Sequence, residues 1–190
     1  QSIIRACLLP QQYVITPEYA SLYEAQENLA FLLEHDASLI LFRQPQLSES
    51  EYSRFVCHLC ATLPGLSGKL MLSGHILSSG SFVRGVHLPY RMAASLTQRP
   101  VEIDQLFAVS CHNESEVRHA EGIGADFITL SPVQVTASHP EVSKLGWKQF
   151  KQWAEKSKIP VFAQGGMKRS DLPGAISNGA QGISGIRLWQ

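Results

Sequence analysis

Eight short apolar runs alternate with helix-patterned stretches along the whole chain, and nothing else in the sequence limits the fold as tightly. The runs are Tyr13-Val14-Ile15-Thr16, Leu39-Ile40-Leu41-Phe42, Leu70-Met71-Leu72, Val86-His87-Leu88, Phe107-Ala108-Val109-Ser110, Phe127-Ile128-Thr129-Leu130, Val161-Phe162-Ala163 and Gly182-Ile183-Ser184-Gly185-Ile186. They are apolar almost without interruption, which is the pattern of strands covered on both faces. The stretches between them carry helix punctuation. Leu22, Ala25, Leu29, Leu32 and Leu33 recur at helical spacing after the start signal Thr16-Pro17. Ser48-x-x-Glu51 reads as a capping box ahead of a stripe of Tyr52, Phe55, Val56, Leu59, Cys60 and Leu63. Asn113-x-x-Glu116 predicts a second cap, Trp147, Phe150, Trp153 and Ala154 mark a further helix, and Ser170 is expected to cap one that buries Ala175 and Ile176. Gly124 and Gly179 suit the left-handed position past a helix end. Only short or irregular helices are expected in 73–80 and 89–98.

Strand and helix in strict alternation imply a parallel sheet with right-handed crossovers. An open doubly wound sheet competes, but it commonly has fewer strands, and the first strand-to-helix turn here has no glycine-rich fingerprint. The expected fold is α/β, a (β/α)8 TIM barrel. The 190 residues suit one domain. Residues 13–190 form the expected barrel, and 1–12, which lack a Met and the pattern of a signal peptide, read as the remnant of a linker. Sixteen basic residues balance sixteen acidic ones, which argues against nucleic acid as a partner. No apolar run nears the roughly 20 residues that span a bilayer, so no membrane partner is expected. Cys57-His58-Leu59-Cys60 lacks two further nearby ligands and reads as part of an apolar stripe, not a zinc site. Cysteines taken as reduced and the lack of an export signal make the cytoplasm the expected location.

In such a barrel the chemistry sits on the loops that follow the strands. The sharpest is Ala163-Gln164-Gly165-Gly166-Met167-Lys168, a glycine pair between a buried strand and a helix, where backbone N–H groups can approach an anion. The next strand ends in Gly185-Ile186-Arg187, which brings a guanidinium suited to phosphate oxygens. Together they point to a phosphate or another small anion.

These residues belong to a longer pattern. Ser110-Cys111-His112, Gly124-Ala125-Asp126-Phe127-Ile128, Ser131-Pro132-Val133-x-x-Thr136-x-Ser138, Leu145-Gly146, Ile159-Pro160-Val161, Gly165-Gly166 and Gly179-Ala180-x-Gly182 resemble the thiamine phosphate synthase and TenI superfamily. Tyr13 to Thr16, Arg43 and Gly85-Val86-His87-Leu88 extend the likeness over essentially the whole chain. The resemblance implies that Gly165, Gly166 and Arg187 hold a thiazole phosphate, and that Arg43, Thr136 and Ser138 line a neighbouring site for a second anionic substrate.

The sequence departs from that family where the synthases bind magnesium. Ser73-Gly74-His75 and Pro89-Tyr90-Arg91-Met92 stand where the resemblance implies the two acidic ligands. Leu41 and Pro45 replace a Gln and a Lys beside Arg43, His139 replaces a Lys, and Pro132 stands where tautomerases of the TenI type carry a catalytic His. No metal site is therefore expected, and magnesium would matter only if synthase activity were retained. A narrower set, Ile15-Thr16-Pro17-Glu18, Thr136-Ala137-Ser138-His139-Pro140, Leu145-Gly146-Trp147 and Gly185-Ile186-Arg187-x-Trp189, resembles barrels fused behind MutT-type Nudix hydrolases. That resemblance implies an upstream hydrolase of oxidised nucleoside triphosphates, with this barrel as a catalytically degenerate accessory domain.

The acid–base candidates are His112, after the fifth strand, and His139. His87 reads equally as a core residue, and Cys111 as a packed thiol. The expected function is binding of a phosphorylated small molecule. The alternative is an active thiamine phosphate synthase or another enzyme that processes thiazole phosphate. A homodimer is left open.

Overall fold

The computed structural model describes residues 9–75, 83–135 and 144–189. Eight parallel strands close into a barrel in which each pairs with its neighbours in chain order and the last pairs with the first. They are β1 (Gln12–Ile15), β2 (Ile40–Phe42), β3 (Leu70–Ser73), β4 (Gly85–Pro89), β5 (Leu106–Cys111), β6 (Phe127–Leu130), β7 (Val161–Gln164) and β8 (Gly182–Gly185). Each coincides with one of the eight apolar runs, apart from shifts at its ends. The helices are α1 (Leu22–Glu34), α2 (Glu49–Thr62), α3 (Tyr90–Ala93), α4 (Glu114–Gly122), α5 (Gly146–Ala154) and α6 (Leu172–Ser177).

Local chemistry explains most boundaries. Ser48 and Glu51 form the expected capping box at α2, and Asn113 caps α4 by accepting from the Glu116 N–H. Ser21, four residues beyond Pro17, caps α1 through the Glu24 N–H. Ser170 caps nothing. It lies inside a 3₁₀ turn, Arg169–Asp171, that the Asp171 carboxylate closes by accepting from the Lys168 N–H at 2.8 Å. On α6 Ala175 is buried as expected, but Ile176 is 39% exposed, because the helix has only six residues and turns just one narrow face inward.

Alternation along the strands separates two apolar regions. Outward side chains, among them Val14, Ile40, Val109, Ile128 and Ile183, pack under the helices. Inward ones, Tyr13, Ile15, Leu39, Leu41, Met71, Leu106, Ala108, Phe127 and Phe162, fill the barrel with Leu9. Tyr13, Phe127 and Phe162 meet edge to face at 5.4–5.8 Å. Residues just before β1 belong to the barrel as well. Leu9 is buried, its carbonyl accepts from Gln181 Nε2, and the Gln11 carbonyl accepts from the Ile183 N–H.

A clamp ties the lower rim. Arg99 pairs with Asp126 at 2.7 Å and donates to the Gly124 carbonyl, while the same carboxylate accepts from the Phe107 N–H. Cys57 is exposed, so it is not part of the α2 stripe, whereas Cys60 is half-buried and burial pushes its thiol up to about 11. Among the described residues no group of His, Cys, Asp and Glu could hold a metal ion, and no helix is long and apolar enough to cross a membrane.

Candidate functional site

Parallel strands carry their C-terminal ends to one mouth, and there β7 hands over to the glycine pair. Gly165 (φ +95°) and Gly166 (φ +70°) both occupy the left-handed region. A Cβ on Gly165 would stand 2.7 Å from Pro132 Cα, and one on Gly166 would stand 2.7 Å from the Val135 carbonyl oxygen. The pair is thus pressed against the loop after β6. That loop is tied down by Val133 N–H donating to the Gln164 carbonyl (2.9 Å) and Gln134 N–H to the Gly165 carbonyl (3.2 Å). Among the described residues the Gly166 and Met167 N–H groups donate no hydrogen bond, so they remain available to a ligand. The expected help from a helix dipole is weak, since the 3₁₀ turn intervenes and α6 begins only at Leu172.

Behind this turn the uppermost inward layer of the barrel is polar. His87 is 2% exposed, and its Nδ1 lies 2.9 Å from Tyr13 Oη and its Nε2 2.8 Å from Ser110 Oγ. Burial pushes the imidazole down to about 3, so the ring is neutral. A neutral ring carries one N–H, so it donates to one of these hydroxyls and accepts from the other. Thr129 Oγ1 also donates to Ser110 (3.4 Å), so the four side chains form one connected network. His87 is therefore the hydrogen-bonded core residue of the two readings its position allowed. Gln164 Oε1 and Ser184 Oγ, at the ends of β7 and β8, are buried without a hydrogen-bond partner among the described residues.

The other expected site residues are dispersed around the rim. Arg43 is bound to the β1 end through its N–H to Thr16 Oγ1 (3.0 Å), and its guanidinium pairs with Glu18 at 3.3 Å. Arg187 is exposed in the turn after β8 and has no ion pair with any described residue. A Cβ built on Gly185 would lie 3.5 Å from the Met167 carbonyl oxygen, so that turn starts close to the residue after the glycine pair. His112 is half-exposed, and its Nδ1 lies 3.0 Å from Glu116 Oε2, which also accepts the His112 backbone N–H at 2.7 Å. A carboxylate only accepts, so Nδ1 is the donor in this contact and the ring's orientation is fixed, with Nε2 on the far side. Cys111 is fully buried and its thiol is pushed up by burial, so it is packing. Thr136, Ser138 and His139 lie outside the described residues.

The ends of β3 and β4 do not fit magnesium. They present Ser73, His75, Pro89, Tyr90 and Arg91, with no carboxylate among them, and a hard cation of this kind takes oxygen ligands. The His75 ring is stacked on Tyr52 at 3.9 Å and burial lowers its affinity for a proton. The Tyr52 hydroxyl is itself engaged, donating to the Phe42 carbonyl and accepting from the Ser73 N–H. A cavity of about 540 Å³ lies elsewhere, on the flank where β1 and β2 begin, lined by Gln12, His35, Asp36, Arg169 and Trp189 among others. Trp189 thus covers the side of the barrel, with Arg169 over its ring at 4.5 Å, and does not close an end.

Sequence reasoning did not single out Tyr13, Ser110, Gln164 or Ser184. The signal available was strand parity, because residues two apart from an inward aromatic also face inward. It also missed Gln44, buried at the mouth, where it donates to Thr16 Oγ1 and the Pro17 carbonyl and accepts from the Tyr19 N–H.

Comparison with known proteins agrees with the barrel fold. A family model described as thiamine monophosphate synthase matches residues 12–188. A protein of Aquifex aeolicus that carries the provisional name thiamine-phosphate synthase 2 is 30% identical, over 95% of this chain and 98% of its own length. A thiamine-phosphate synthase of Clostridium novyi is 25% identical, over 79% of this chain and 75% of its own. Among solved structures, a thiamine phosphate pyrophosphorylase from Pyrococcus furiosus superposes with a TM-score of 0.70 at 21% identity, covering 92% of this chain and 84% of that one. These matches bear on the barrel and lend no support to a MutT-type partner. The chain belongs to the thiamine monophosphate synthase family.

Proposed function

We propose that this barrel is an enzyme that processes a thiazole-type phosphate, held at the Gly165–Gly166 turn with Arg187 beside it. The observation that carries this reading is the turn itself. Two left-handed glycines, fixed against the β6 loop, leave the Gly166 and Met167 N–H groups unspent next to a polar barrel mouth. The relatives are named for thiamine phosphate, and the family resemblance supplies the thiazole phosphate as the substrate class. Arg43, Thr136 and Ser138 would line the neighbouring site for a second anionic substrate. Within the described residues His112, oriented by Glu116, is the acid–base candidate; His139, outside them, is the second. The ends of β3 and β4 offer no carboxylate among the described residues, so no step is assigned to magnesium.

The test has two arms. Thiazole phosphate should raise the melting temperature of the protein, and Arg187→Ala should weaken its binding about tenfold, a loss of roughly 1.4 kcal/mol. No thermal shift with thiazole phosphate overturns the proposal. Turnover is then assayed with thiazole phosphate and an aminopyrimidine pyrophosphate, with magnesium and with chelator. A product whose rate falls in His112→Ala supports the enzyme. A second reading, binding of the phosphate ester without turnover, is favoured by the missing carboxylates and by Pro132. Tight binding with no product under either condition would select it.

A further inference from the structure

We propose that Gln164 and Ser184 form a specificity subsite that takes a hydrogen-bond donor on the ring of the bound phosphate ester. This rests on the phosphate reading above and adds the chemistry of the ring. In the β7–β8 ladder Gln164 lies opposite Ser184, and on the other side Ser184 lies opposite Tyr13. Tyr13 is in the inner apolar cluster, so by parity all three face the lumen.

The two side chains differ from the rest of the polar layer in one respect. Tyr13, His87, Ser110 and Thr129 each have at least one hydrogen-bond partner within the layer. Ser184 is 0% exposed, yet its Oγ has no partner among the described residues, and neither has the buried Gln164 Oε1. Native proteins rarely leave buried polar atoms unpaired, since each forfeits its hydration without compensation. Two on adjacent strands, one residue before Gly165 and one before Gly185, leave hydrogen-bonding capacity unspent beside the glycine turn. The amide oxygen can only accept, while the hydroxyl can donate or accept. The complementary ligand edge is an N–H donor next to an acceptor, as in a ring lactam. An unsubstituted thiazole ring has a nitrogen acceptor but no donor, and leaves the Gln164 oxygen unpaired. The ring class inferred is therefore a five- or six-membered heterocycle with a ring or exocyclic N–H, joined to a phosphate ester.

Calorimetric titration with thiazole phosphate and with its 2-oxo analogue, which adds a ring N–H and a carbonyl, tests this. The 2-oxo compound should bind about tenfold tighter to the native protein, and the preference should fall below about threefold in Gln164→Leu and in Ser184→Ala. The ligand-free variants give an independent readout. Ser184→Ala removes an unpaired buried hydroxyl, so its melting temperature should stay level or rise by about 2–4 °C. Equal binding of the two compounds, or a preference that survives both substitutions, overturns the subsite while leaving the phosphate reading intact. A fall in melting temperature of several degrees in Ser184→Ala shows that the hydroxyl has a structural partner and overturns it without any ligand. If neither compound binds, the phosphate reading fails and the subsite with it.

Discussion

His87 stores its influence in a proton it does not carry. Burial holds the folded imidazole at about 3, against an ordinary 6.5 in the unfolded chain. Between those values the unfolded chain binds a proton that the folded barrel refuses, so stability is complete above about pH 6.5 and drains as pH falls toward 3. The slope approaches about 1.4 kcal/mol per pH unit at full effect. Urea titrations between pH 7.5 and 4.5 should show this decline, and His87→Gln should flatten it by close to one proton. An unchanged slope would place the acid sensitivity elsewhere. At this scale the sequence was only partly legible. The His at the end of β4 was visible, but its partners are not sequence neighbours. Tyr13 lies 74 positions away and Ser110 23. Gln164 and Ser184 were hidden for a different reason. Runs that are apolar on both faces do not declare which parity looks inward until an aromatic such as Tyr13 is located in the lumen.

The β7–α6 connection is where an element's geometry and the candidate chemistry meet. Gly165→Ala and Gly166→Ala each force a left-handed conformation on an L residue and drive a methyl to 2.7 Å from backbone atoms of the β6 loop. Each should cost about 2 kcal/mol or more, and both should reduce phosphate affinity, because relief of the clash moves the loop or the turn. Chemical denaturation and phosphate titration of the two variants check this. Full stability and affinity in Gly166→Ala would mean that the loop yields freely. Elements were the most legible scale. Strands covered on both faces announce themselves by unbroken apolar runs, and the Ser48 and Asn113 caps are encoded within four residues. The Ser170 cap failed because Asp171, one residue on, offers a carboxylate to the Lys168 N–H and draws the chain into a 3₁₀ turn first. The Arg99 clamp could not be read, since its two charges sit 27 positions apart.

For the whole molecule, closure is what the alternation of eight strands and intervening helices foretold, and the match of the family over residues 12–188 agrees with it. Less legible was the flank beside the seam. There Pro10 and Trp189 border the same cavity, with His35 and Arg169 between the layers. That proximity has a topological consequence. A ring has no intrinsic first strand, and β1 is hydrogen-bonded to β8 as β2 is to β3. A short Gly/Ser bridge from residue 189 back to residue 9, with new termini cut between the exposed Pro64 and Gly65, should therefore yield a circular permutant with the parental circular dichroism and one cooperative melting transition. If that permutant collapses instead, the order in which the strands are synthesised, and not just their adjacency, decides whether the cylinder can shut.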